Sequence, residues 1–198
     1  MLPAEKIILT AEEYLQGEET ADFKYEYQQG EVWAMVGATD NHVTIAMNLA
    51  LLLKQHLKNT PCRTYISGMK VRVEKADAYF YPDIMVSCNP KDLASTLYKH
   101  HPLFIAEVLS PSTEAFDRGN KFNAYRQLES LQTYWLIDTN ALRIDSFTRT
   151  QNDDWLLHSY TKADEMVEIK GLEVQCLLRA LRRYLAELTE LDNRYIRC

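Results

Sequence analysis

Phe104-Ile105-Ala106-Glu107-Val108-Leu109 is an apolar strand interrupted by one acid, and Phe80-Tyr81-Pro82-Asp83-Ile84-Met85-Val86 is another. Alternation along a strand puts Glu107 on the face of Ile105 and Leu109, and Asp83 on the face of Tyr81 and Met85. A carboxylate inside an apolar strand bears a desolvation cost unless something pairs with it. Two such acids on neighbouring strands repel each other, and a divalent cation removes that repulsion. The alternative is that each faces solvent or pairs with an arginine.

Working outward, the pattern alternates between helix and strand. Thr10–Gln16 reads as a short helix capped by Thr10 and ended by Gly17. Lys24–Gln28 and Glu31–Val36 flank Gln29-Gly30 as a hairpin. Asp40–Lys58 reads as the main helix, capped by Asp40 or Asn41. Its face is Val43, Ala46, Ala50, Leu53 and Leu57, widened by Ile45, Leu49 and Leu52. Strands are predicted at Cys62–Ser67, Lys70–Glu74, Tyr79–Ser87, Leu103–Leu109 and Thr133–Asp138. Ser112–Glu129 reads as a helix, irregular near Gly119. Leu142–Arg149 and Trp155–Thr161 read as a second hairpin, and Val174–Leu188 as a C-terminal helix. This mixture predicts an α/β (α+β) domain around one mixed sheet. The chain reads as a single domain over 1–198: a helix and hairpin extension over 1–36, a core over 40–140, and a hairpin and helix over 141–198.

Lys121 falls early in the helix that follows the Glu107 strand. The short link through Ser110-Pro111-Ser112-Thr113 turns that helix back over the strand's end, so Lys121 can reach Glu107. A lysine there orients water or stabilises developing phosphorane charge. A solvated helix lysine is the plainer reading. Glu26, just before the hairpin turn, reads as a surface acid with a route to the site in some folds. His42 reads as a polar helix-start residue that could contact phosphate or metal.

The chain has 198 residues, 46% hydrophobic and 25% charged, with net charge −6. That length carries a real core without a structural metal. All of the excess acid lies in residues 1–31, which hold eight acids and two bases; the rest is balanced at 20 and 20. The acidity is therefore expected to lie outside the core, as a flank. Overall acidity argues against indiscriminate coating of nucleic acid. Lys54, Lys58, Arg63, Lys70 and Arg72 follow one another with no acid between them, a run suited to phosphate contacts or to a solvated face. Arg179, Arg182 and Arg183 read as a solvated helix face, and His100-His101 as exposed. Trp33, Trp135 and Trp155 lie in strands and read as core or interface, not as base-stacking platforms.

No secretory leader and no membrane-spanning stretch is read. Cys62, Cys88, Cys176 and Cys198 show neither C-x-x-C nor zinc spacing. Free thiols in a reduced, cytoplasmic setting are expected, with Cys88 and Cys176 as small buried residues.

Pro82-Asp83, Glu107-Val108-Leu109-Ser110-Pro111-Ser112-Thr113, Asp117-Arg118-Gly119-Asn120-Lys121 and Tyr134-Trp135-Leu136-Ile137-Asp138, in that order, carry a resemblance. With Tyr25-Glu26, Gly30-Glu31, Met35 and His42, the series resembles the Uma family of restriction-endonuclease-like proteins over residues 8–186. That family resembles the PD-(D/E)XK nuclease superfamily. The resemblance implies a restriction-endonuclease-like core, a central mixed sheet flanked by helices with added β-hairpins. It also implies metal-dependent phosphodiester hydrolysis. It makes Asp83 the Pro-Asp acid, Glu107 the second acid and the Val108 backbone carbonyl a further ligand of Mg²⁺ (or Mn²⁺). Position 109 is Leu rather than the superfamily's Lys, so Lys121 takes the lysine's part. Thr133 stands where the family more often has an acid.

DNA is then the expected substrate and a homodimer the expected assembly; no organic cofactor or membrane is implied. The competing readings are an inactive relative that binds nucleic acid or protein, and an oligomeric scaffold in which Asp83 and Glu107 are ion-paired.

Overall fold

The computed structural model describes residues 8–35 and 37–182. Thr10 opens the first helix, α1 (Ala11–Glu18). Its hydroxyl accepts from the Glu13 N–H, and its own N–H donates to the Glu13 carboxylate. This reciprocal cap satisfies two donors that a helix start leaves bare. Strands β1 (Tyr25–Gln28) and β2 (Glu31–Ala34) form the N-terminal hairpin. Gln29 (φ 49°) and Gly30 (φ 87°) both take the left-handed conformation at its turn, which matches strand twist.

Helix α2 (Asp40–His56) is capped by Thr39, whose hydroxyl accepts from the His42 N–H. The cap lies one residue before the expected Asp40, because Thr39 is still extended. The buried line of α2 is Ile45, Asn48, Leu49, Leu52 and Leu53. Val43, expected on that line, is exposed. The Asn48 amide points inward and donates to the Leu181 carbonyl.

The strands that follow are β3 (Arg63–Ile66), β4 (Lys70–Val73), β5 (Ala78–Phe80) and β6 (Ile84–Ser87). Helix α3 (Pro90–Ala94), β7 (Tyr98–Lys99) and β8 (Phe104–Val108) come next. Helix α4 (Glu114–Phe116) runs through a π turn (Asp117–Lys121) into α5 (Phe122–Tyr125). The remaining strands are β9 (Thr133–Ile137), β10 (Ile144–Arg149), β11 (Trp155–Tyr160), β12 (Met166–Ile169) and β13 (Val174–Leu177).

Among the described residues there are three sheets rather than the single one expected. Six strands run in the order β11-β10-β9-β8-β6-β3, and five run β2-β1-β5-β4-β7; β12 and β13 pair alone. The six-stranded sheet is mixed, with β8 and β9 parallel and the other pairs antiparallel. Ile84, Val86, Phe104, Ala106 and Trp135 pack one face against α2. Met85, Ile105, Leu109, Tyr134 and Leu136 cover the other, with Phe80 and Tyr125. Trp135 is core, as its position in the sequence implies.

Tyr79–Ser87, expected as one strand, is two. The chain leaves the five-stranded sheet after Phe80 and enters the six-stranded sheet at Ile84. Pro82 has no N–H to give to a ladder, so Tyr81-Pro82-Asp83 is the crossing between the sheets.

The expected C-terminal helix is absent over its described part. Val174 and Cys176 are buried, with Gln175 half-buried between them, a period of two, and they pair with Ile169 and Val167. A 3-10 turn (Leu178–Arg182) follows. Apolar residues at 174, 177, 178 and 181 fit a helix and those at 174, 176 and 178 fit a strand, and the neighbouring strand decides. Arg179 pairs with Asp164; Arg183 and the rest of the expected helix lie outside the described residues. His101, expected exposed, is half-buried, with Nδ1 3.3 Å from the buried Asp92 carboxylate.

Cys62 and Cys88, expected as free thiols, are joined. The register pairs Arg63 with Ser87, so one step outward sets the two cysteines opposite each other, Cα atoms 4.0 Å apart. Only the strand pairing brings them together, and their spacing in the sequence carried no such signal. A bridge closing this 26-residue separation restricts the unfolded chain by about 3 kcal/mol. Reductant is expected to lower the unfolding free energy of the native protein by that much, read by denaturant titration, and to leave a Cys62→Ser/Cys88→Ser variant unmoved. Cys176 remains a free, buried thiol, pushed up by burial to about 12. No helix among the described residues is long and apolar enough to cross a membrane.

Candidate active site

Asp83 stands at the crossing between the two large sheets, and Glu107 near the end of the adjacent strand β8. The Asp83 N–H donates to Glu107 Oε2 (3.1 Å), and the Val108 N–H donates to Asp83 Oδ2 (2.8 Å). Each acid is thus held by the backbone of the other's strand. Glu107 is only 3% exposed.

Lys121 arrives from the π turn. Its Nζ lies 2.9 Å from Glu26 Oε1, 3.3 Å from Glu107 Oε1 and 3.4 Å from Asp117 Oδ1. Tyr125 also donates to Glu107 Oε1 (2.9 Å). Asp117, Lys121 and Tyr125 are four residues apart. Four residues overshoot an α-helical turn, whereas a π turn holds more residues per turn. The overshoot in α5 and the shortfall in the π turn offset each other, and all three side chains face Glu107. Arg118 ties this turn to β10 through Asp145 (2.7 Å), and Arg149 holds its far end by donating to the Arg126 and Leu128 carbonyls.

Two residues read as peripheral are part of this cluster. Glu26 is buried; besides Lys121 it accepts from the Tyr81 N–H (2.9 Å). His42 Nε2 sits 3.1 Å from Asp83 Oδ2, because the Thr39 cap sets the first turn of α2 beside Asp83. The N-terminal acidity is therefore not only a flank. Glu26 enters the cluster, and Glu18 contacts Tyr81 Oη and Lys70 Nζ just behind it.

Electrostatics follows from this crowding. Burial pushes the Glu107 carboxyl well above the usual carboxylate range; Lys121 opposes that, and Asp83 adds to it. Burial also raises Asp117. Burial acts to lower Lys121, yet Glu107, Glu26 and Asp117 outweigh it and hold the ammonium firmly charged. The hydrogen bond to Asp83 raises His42 against its burial.

Four carboxylates thus face one ammonium and one imidazole. Among the described residues, no three His, Cys, Asp or Glu side chains stand so as to hold a metal ion together. Two carboxylates, a main-chain carbonyl and water suit a hard cation such as Mg²⁺, which retains several waters. The excess of buried oxygen charge is what such an ion offsets, so the residues present fit it.

The basic run does not gather at the cluster. Lys54 lies about 18 Å along α2 from His42, and Lys54, Lys58 and Arg63 are exposed. Lys70 pairs with Glu18 and Arg72 with Asp77. Asp117 and Tyr125 were not singled out from the sequence. Their four-residue spacing on either side of Lys121 was the available signal.

Three comparisons bear on the chain. The family described as Uma2, "Putative restriction endonuclease", matches residues 11–180. Two uncharacterized proteins of Synechocystis sp. are similar to it. One, slr1290, is 37% identical over 178 residues, 90% of this chain and 93% of that protein. The other, sll1609, is 35% identical over 176 residues, 88% and 99%. A crystal structure described as a putative nuclease belonging to DUF820, from Anabaena variabilis, superposes with TM-score 0.72 at 17% identity. It covers 87% of this chain and 97% of that one. The mixed α/β fold is therefore shared with that protein.

Proposed function

Given that the chain belongs to the Uma2 family, we propose that it is an endonuclease that hydrolyses phosphodiester bonds in DNA with the help of a divalent cation. The observation that carries this is the meeting of Asp83, Glu107 and Lys121 at the seam between the sheets, with Asp83 and Lys121 each within hydrogen-bonding range of Glu107.

Asp83, Glu107 and the Val108 carbonyl would hold the cation, Mg²⁺ or Mn²⁺. When bound, that ion lowers the pKa of a water and draws charge from the phosphate. The chain's own groups do the rest. Lys121 is held cationic, so it serves as a donor and a fixed positive charge, not as a base. It orients water or a phosphate oxygen and stabilises charge that grows on the phosphorus centre. Glu26 and Asp117 fix its ammonium in place, and Tyr125 fixes the Glu107 carboxylate. His42 orients Asp83. Attack by the water oxygen, which gives up a proton to solvent, forms a new P–O bond and breaks the bond to the leaving sugar oxygen, which takes up a proton from solvent. Leu109 is buried in the apolar layer at the position where the superfamily carries lysine, and the π turn supplies that charge from the other side.

The test is cleavage of linear and circular DNA by the full chain with Mg²⁺, with Mn²⁺ and with chelator, and of RNA under the same conditions. Cleavage of DNA that needs the metal is expected. Metal-saturated protein that leaves DNA intact would overturn the reading.

A further inference from the structure

Trp33, read from the sequence as core or interface and not as a stacking platform, is 37% exposed and so is not core. It lies directly across the hairpin from Glu26, in an antiparallel pair, and residues so paired project from the same face. Its indole rests on Phe116, ring centroids 5.3 Å apart, and Phe116 precedes Asp117 in the chain. A line of rings continues inward: Phe116 meets Phe80 at 6.1 Å, and Phe80 meets Tyr125 at 5.4 Å. Tyr125 donates to Glu107. One end of this line is thus at the buried carboxylate and the other is a large indole open to solvent.

We propose that Trp33 stacks on a nucleobase next to the scissile phosphate, and that the site prefers DNA in which that base is unpaired. This rests on the nuclease reading above. An exposed indole held from behind by a second ring is a ready stacking platform, and every base offers a π-face to it. Apart from Lys121 in the site itself, the cations near the cluster are engaged: Lys70 by Glu18 and Arg118 by Glu114 and Asp145. Stacking supplies the hold that these charges do not. A base within a duplex is already stacked on its neighbours and must leave them to reach the indole.

The experiment uses the full chain, Trp33→Leu and Trp33→Phe, with a single-stranded oligonucleotide and its matched duplex. In chelator, where no cleavage is expected, titration with the single strand should quench tryptophan emission in the wild type and not in Trp33→Leu. Trp135 is fully buried and Trp155 half-buried; both remain in Trp33→Leu, so the difference between the two proteins reports Trp33. With Mg²⁺, Trp33→Leu should raise KM for the single strand about tenfold, with kcat little changed, and Trp33→Phe should recover most of it. An unchanged KM in Trp33→Leu, or duplex cleaved in preference to single strand, overturns the proposal and leaves the nuclease reading standing. Quenching by the single strand without cleavage supports the stacking while overturning the nuclease reading. Neither quenching nor cleavage overturns both.

Discussion

Glu107→Gln is expected to lower metal-dependent DNA cleavage about a thousandfold while leaving the fold intact. The amide has nearly the same shape, but its single oxygen can accept from Tyr125 or from the Asp83 N–H, which meet different oxygens of the carboxylate, and it cannot share a cation's charge. The sign of the stability effect runs the other way from activity. The Glu107 carboxyl is raised above its usual range by burial, so the folded protein holds that proton more tightly than the unfolded chain. Its favourable contribution is present below the ordinary carboxylate range and is lost as pH rises through the raised value. The metal-free wild type should therefore lose thermal stability as pH climbs through and above that range. Glu107→Gln, which has no proton to lose there, should show less of this decline. Thermal unfolding in chelator across pH, beside the cleavage assay, checks both halves. Cleavage retained by a folded Glu107→Gln would remove this residue from the machinery.

Lys121→Met should fail in both respects. The thioether fills much of the same channel over Phe80, whose ring lies 5.8 Å from the ammonium. It leaves Glu26, Glu107 and Asp117 facing one another without their shared cation. Breaking a buried ion pair from one side costs about 3–5 kcal/mol, read as a lower denaturant midpoint. Cleavage should fall about a hundredfold or more. Divalent cation should return part of the lost stability, because it offsets the same carboxylates. If Lys121→Met kept full stability in chelator, the ammonium would not be what balances this cluster.

The strand-borne acids were legible because a period of two is local: Asp83 and Glu107 each declare themselves against apolar neighbours. Lys121 was legible because a short link returns a helix over the strand it leaves. Glu26 and His42 were not, since their roles depend on partners far along the chain. The charge count even pointed the wrong way for Glu26, which sits in the acidic segment yet is turned inward onto Lys121. The bond between Cys62 and Cys88 was hidden for the same reason, as it follows from a strand register and from no spacing. The two-sheet crossing was not read: Tyr79–Ser87 passed as one strand through Pro82, because which sheet each side joins is not written locally. At 174–181 the apolar residues satisfied helix and strand alike, and pairing with β12 settled the matter.

The salt bridge between Glu26 and Lys121 also bears on when the cluster assembles. Glu26 leaves the ribosome early, whereas its partner follows much later, past the middle of the sequence. Contacts so distant in sequence close late in folding, because much chain entropy must be given up before they form. During synthesis, the hairpin emerges with its acid unmatched, and no partial chain short of the π turn carries an assembled site. On the proposed function, the chain is thereby silent while it is being made, and completion of its own folding is the step that arms it.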